Sequence, residues 1–147
     1  MTARLLSKPV PAARVGVICT VFIAALTWAW FHGYPQFILD GDKSLVSFAI
    51  VAVLAWSLAA VFAGRRGHIR DAAAACTMLG FAGTLIGITM GLSGVDVGTL
   101  TTPEGVIQAG TSLFGGIATA FCSTITGAVA AFWLACVGSA VGVSAWV

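Results

Sequence analysis

The chain has 147 residues, is 59% hydrophobic and 8% charged, and has a mean hydropathy of +1.04 with a formal charge of +2. Soluble domains carry roughly three times that charge fraction, so a separate soluble catalytic or binding domain has no place here, and the net charge is too small for a nucleic-acid binder. Apolar runs longer than about 18 residues recur along the chain, which is the signature of membrane helices.

The first run, Val15 to Phe31, follows Arg4, Lys8 and Arg14 and has the outline of a secretory signal. It is long for one, and it ends in Trp28, Trp30 and Phe31 where a cleavage site would carry small residues, so it is predicted to remain as an uncleaved first span. With Tyr34 and Phe37, these tryptophans fit an interfacial aromatic belt. The stretch 32–43 holds Gly33, Pro35 and Asp40-Gly41-Asp42, and predicts a turn with too few oxygens for a cation site. Span two is expected over Leu45 to Ala63. The short link Gly64 to Asp71 carries Arg65, Arg66, His68 and Arg70 and reads as a topology anchor beside anionic lipid. Span three is expected over Ala72 to Leu92, followed by an outer link over 93–112.

Thr102-Pro103-Glu104 reads as a helix start: a capping hydroxyl, a proline at the first helical position and an acid at the positive end of the dipole. A helix from there to Val147 would be about 67 Å long, against roughly 30 Å of hydrocarbon. Either it projects beyond the membrane or it breaks, with Gly115-Gly116 the expected kink, Gly105 to Leu113 lying along the outer surface and span four over 113–140. His32 and His68 are expected to be solvated. Cys19, Cys76, Cys122 and Cys136 lie in apolar runs without metal-ligand spacing, which predicts buried, reduced thiols and no metal or cofactor.

If the chain crosses four times, Arg4, Lys8, Arg14, Arg65, Arg66 and Arg70 share one side and only Lys43 the other, which predicts cytoplasmic termini. The expected fold is an all-α membrane protein: a single transmembrane domain over 1–147, four transmembrane helices, the last long or kinked.

The third and fourth runs carry threonine and glycine at helical spacing. Thr77, Gly80, Thr84, Gly87 and Gly91 share one face of span three, with Gly83/Gly87 and Gly87/Gly91 as GxxxG pairs. Gly116, Ala120, Ser123, Thr124, Gly127 and Ala131 form a comparable stripe in span four, flanked by Thr119 and Thr126. Such stripes serve close helix packing, with hydroxyls bonded across the contact or back to their own backbone, or they line a water-filled path. No acid or base lies within any of the four spans, so the chain alone cannot pump protons and a partner would have to bring the carboxylate.

In these two segments, LGFAGTLIGI (Leu79 to Ile88) and GIATAFCSTITG (Gly116 to Gly127), the chain resembles the MotA/TolQ/ExbB proton-channel family. The likeness spans about Thr77 to Phe132 and fits a short, MotA-like member lacking the large cytoplasmic domain. The resemblance implies a non-enzymatic motor or stator subunit in a bacterial-type inner membrane. It implies a ring, commonly a homopentamer, around a MotB-, TolR- or ExbD-like single-span partner that carries a membrane aspartate. It places Thr84 and Thr124 on the ion path as the two pore-facing hydroxyls, and makes Thr77, Thr119, Ser123 and Thr126 further ion-pathway or partner-facing residues. Gly80, Gly83, Gly87, Gly91, Gly116 and Gly127 would serve close helix packing, and the Gly80/Gly83/Gly87 and Gly116/Gly127 faces would let partner helices slide closely. Two other readings stand beside it: a structural or holin-like oligomer without ion coupling, and a small four-span transporter. A transporter of the small multidrug-resistance type needs a glutamate in its first span, which Val15 to Phe31 lacks.

Overall fold

The computed structural model describes residues 12–42 and 44–143. Among these, all regular structure is helical: α1 (Ala12–Phe31), α2 (Tyr34–Gly41), α3 (Val46–Phe62), α4 (Ile69–Ser93), a 3-10 turn (Val97–Thr99) and α5 (Pro103–Ala140). The helices α1, α4 and α5 are long and apolar enough to cross a membrane. The expected second span is shorter than the sequence suggested. At 17 residues, α3 is about 25 Å long, short of the hydrocarbon thickness. Arg4, Lys8 and Lys43, which enter the basic-residue count, and the side chain of Phe37 lie outside the described residues.

Local chemistry sets the boundaries. Gly33, with φ +78°, turns the chain between α1 and α2, and Pro35 sits in the first turn of α2. The stretch expected to be a simple turn thus contains an eight-residue helix. Helix α3 ends at Gly64 (φ +84°), where Gly64 N–H donates to the Val61 carbonyl and Arg65 N–H to the Ala60 carbonyl, each at 2.9 Å. This paired return of amides onto the last turn is a Schellman motif. Helix α4 then begins at Ile69, so Arg70 and Asp71 lie in its first turn rather than in the link. His68 is half-buried rather than solvated: Nε2 lies 3.1 Å from the Ser57 carbonyl and the ring meets Trp56 edge-on at 5.4 Å. His32 is exposed, with its ring 4.2 Å from Trp28.

The Thr102 hydroxyl accepts from Gly105 N–H at 3.1 Å and starts α5, with Pro103 in its first turn. The expected break at Gly115-Gly116 is absent. Helix α5 runs unbroken for 38 residues, about 57 Å, so 105–113 are its first turns and not a surface segment. A second Schellman return at Gly142 (φ +76°) ends it, with Val143 N–H on the Gly138 carbonyl at 2.9 Å.

The two long helices form an antiparallel hairpin in which Gly80 lies against Gly127, Gly87 against Ala120, Gly91 against Gly116 and Gly94 against Ser112. We call the end carrying the 3-10 turn the tip and the opposite end the foot. The apolar core fills the foot half, where Val15, Cys19, Ile69, Cys76, Trp133, Leu134 and Val137 meet. There Phe22 stacks on Trp133 at 4.9 Å. Helix α3 begins level with the hairpin's middle, Val46 touching Gly83 and Ser47 reaching Thr126. Beyond that level α4 continues another 15 Å or so toward the tip. Cys19, Cys76 and Cys122 are buried, Cys136 is half-buried, and all four are free thiols.

Candidate functional site: a glycine seam between two hydroxyl flanks

The glycines of α4 and α5 face each other. A Cβ on Gly87 would come within 2.6 Å of Ala120 N and 2.8 Å of the Gly116 carbonyl. One on Gly127 would meet the Cys76 carbonyl at 2.7 Å, and one on Gly80 would meet Gly127 Cα at 3.2 Å. Gly83 lies on Ser123, and Gly91 on Gly116. With no apolar solvent contrast inside a bilayer, helices associate by close van der Waals fit, and matched glycines allow the backbones to touch. This corrects one expectation from the sequence. Gly80, Gly83, Gly87, Gly91, Gly116 and Gly127 do pack helices closely, but within the protomer, where α4 and α5 fill each other's faces, so a partner helix cannot slide on the Gly80/Gly83/Gly87 and Gly116/Gly127 faces.

The seam divides the hydroxyls into two sets. On one flank α5 meets α2 and α3. Thr119, 2% exposed, donates to the Gly41 carbonyl at 2.8 Å or to that of Gly115 at 3.1 Å. Ser123 is fully buried and donates to its own helix, to Ala120 O at 3.0 Å. Thr126 donates to Cys122 O at 2.8 Å and accepts from Ser47 at 3.4 Å. These three point into the protomer and are not on a partner-facing surface.

The opposite flank is open. The hydroxyls of Thr84 and Thr124 touch across the hairpin, and each also lies near the carbonyl four residues back, Gly80 O at 3.0 Å and Ala120 O at 2.9 Å. Each hydroxyl has one proton, so one threonine donates to the other and the second donates to backbone. Thr124 is exposed and Thr84 half-buried. Thr77 lies two turns toward the foot, exposed, and donates to Ala73 O at 3.1 Å. Spacing places Thr77, Phe81, Thr84 and Ile88 in one stripe and Ile117, Phe121, Thr124 and Ala128 in the other. The Thr84/Thr124 pair is therefore a small polar spot on an exposed apolar surface.

One residue escaped the sequence reading. Asp42 is 3% exposed. Its Oδ1 accepts from Ser44 N–H at 3.0 Å and Ser44 Oγ at 2.5 Å, and its Oδ2 accepts from Ser47 N–H at 2.7 Å, which caps α3. The neighbouring Gly41 presses on α5, where an added Cβ would lie 2.9 Å from Cys122 Sγ. Between the two helices Leu45 takes φ +59°, a strained value for leucine that the capped link holds in place. The available signal was an aspartate with serines two and five positions on, just before an apolar run, which is a capping pattern. On the same flank, nearer the tip, the hairpin encloses a cleft of about 370 Å³ lined by Gln108, Thr111, Ser112 and Thr119 together with Gly91 and Gly94. Among the described residues, no three His, Cys, Asp or Glu side chains converge. No protein-family model, no curated protein and no solved structure matches this chain.

Proposed function

We propose that the chain is a ring-forming subunit of an ion-driven membrane assembly of the MotA/TolQ/ExbB kind, residing in a bacterial-type inner membrane and moving a single-span partner. The observation that supports this reading is the contact of the Thr84 and Thr124 hydroxyls on the open flank of the hairpin, within the two segments that carry the family resemblance. In a ring, that flank lines the lumen. A partner aspartate, protonated and neutral, moves against the threonine pair, whose hydroxyls bond a carboxyl in either protonation state and add no fixed charge that would trap the ion. The driving free energy is about 2.3 kcal/mol per charge per 100 mV, plus any pH gradient. The closed seam gives each subunit a stiff wall, and the partner contacts the flank instead of the glycines.

The test uses Thr84→Val and Thr124→Val, each reconstituted in vesicles with the partner. Both are expected to assemble as the unmodified protein does and to lose proton flux; undiminished flux in both overturns the assignment. A second reading, a structural or holin-like oligomer without ion coupling, draws support from the closure of the glycine seam within one protomer. Particle imaging separates the two: a ring around a second polypeptide favours the motor, and a lumen filled only by lipid favours the structural oligomer.

A further inference from the structure

We propose that the groove between the start of α1 and the end of α5 is a site for one anionic phospholipid, its phosphate on Arg14 and an acyl chain along the apolar walls. The groove encloses about 540 Å³ and is lined by Arg14, Val17 and Ile18 from α1 and by Cys136, Ser139 and Ala140 from α5. These residues recur at steps of three and four, so one stripe of each helix forms a wall. The polar members stand at one end: Arg14 in the first turn of α1 and Ser139 in the last turn of α5. Farther from the foot, Phe22, one turn beyond Ile18, stacks on Trp133 at 4.9 Å and lies 6.0 Å from Phe132, so the two helices meet there and the slot ends. The apolar stretch of α1 that is long enough to cross a membrane begins at Ala13. Arg14 thus stands where hydrocarbon gives way to headgroups, and the walls beyond it lie within the hydrocarbon. An anionic head joined to an apolar tail fits both parts of the groove, whereas a soluble anion would leave the walls uncovered.

The charge distribution selects the headgroup. Arg14, Arg65, Arg66 and Arg70 all lie at the foot, whereas of the chain's five acids only Asp71 does. Helix α1 carries no acid, and α5 carries none beyond Glu104. Residues 1–11 and 144–147, which border the groove in sequence, contain none either. The Arg14 guanidinium is a planar fork that matches two phosphate oxygens with parallel N–H bonds. A zwitterionic lipid brings its own cation, which competes with Arg14 for that phosphate. The last carbonyls of α5 would repel an anion at this end, but they are already engaged: those of Val137, Gly138 and Ser139 accept from the amides of Val141, Val143 and Gly142. The positive end of the α1 dipole acts in the same sense as Arg14. The groove shares no residue with the Thr84/Thr124 pair and stands independently of the motor reading.

The test uses the purified full-length chain in detergent, stripped of lipid and titrated with phosphatidylglycerol or phosphatidylcholine of identical acyl chains, with bound lipid counted by native mass spectrometry. The unmodified chain is expected to hold one phosphatidylglycerol per chain about fivefold or more tightly than phosphatidylcholine. Arg14→Gln is expected to abolish that preference. Val17→Trp leaves every charge in place and fills the groove, and is expected to lose the tightly held lipid. Both replaced side chains are exposed, so both variants are expected to fold, which circular dichroism checks. Equal retention of the two lipids by the unmodified chain overturns the proposal, as does an undiminished preference in Arg14→Gln. Unchanged retention in Val17→Trp overturns it too, because it marks attraction to surface charge alone. Absence of any tightly held lipid, the result expected if the chain's own terminal residues occupy the groove, overturns it equally. No partner is needed, so these results are separate from those of the flux experiment.

Discussion

At Gly87 the neighbouring helix leaves no room for even one carbon, because the atoms a Cβ would strike are the backbone of Ala120 and Gly116, which cannot rotate away. Gly87→Ala is therefore expected to cost about 1–3 kcal/mol as the hairpin is forced apart. Gly87→Leu should prevent assembly by preventing the protomer itself from closing. Gly110 has nothing within 4 Å of its would-be Cβ, so Gly110→Ala is expected to be neutral or to stabilise by up to about 1 kcal/mol. Thermal unfolding followed by circular dichroism in detergent checks the pair. Ser57 provides a contrast of a different kind. Its hydroxyl is buried and has no hydrogen-bond partner among the described residues, although its carbonyl is used by His68. Ser57→Ala removes an unsatisfied polar atom and is expected to raise stability by about 1 kcal/mol in the same assay.

The helices of this chain are bounded by caps more than by hydropathy. The Gly64 return after α3 requires a positive φ, so Gly64→Ala is expected to cost about 1 kcal/mol, and Thr102→Ala should cost a similar amount at the start of α5; both are read as lowered melting temperatures. The Thr102 cap was legible in the sequence because a capping hydroxyl, a proline and an acid stand in consecutive positions. Helix α2 was not, because eight residues give too few turns to show a period and Asp40-Gly41-Asp42 carries strong turn chemistry. Gly115-Gly116 looked like a break because glycine weakens an isolated helix. In the fold, Gly116 is held against Gly91, and the helix passes straight through. The stripes themselves were legible, but their destination was not: a glycine face looks the same whether it meets a helix of its own chain or that of a partner. Burial of Asp42 was hidden for a similar reason, since it depends on the α2–α3 link folding back onto the middle of α5.

On the scale of the whole molecule, the four apolar runs anticipated an all-helical membrane protein, and the structure divides it unevenly. The foot half is a side-chain core built by α1, α3, α4 and α5, while the tip half is mainly the α4–α5 hairpin, with large apolar side chains such as Phe114 and Phe121 exposed. The cleft and the Asp42 cap occupy one side of that hairpin and the threonine pair the other. The seam has a mechanical consequence. Helices joined through knobby side chains can shift by changing rotamers, but helices joined backbone to backbone have none to change. The hairpin is therefore expected to move as one stiff body, because a displacement at its tip finds no side-chain layer in which to be absorbed.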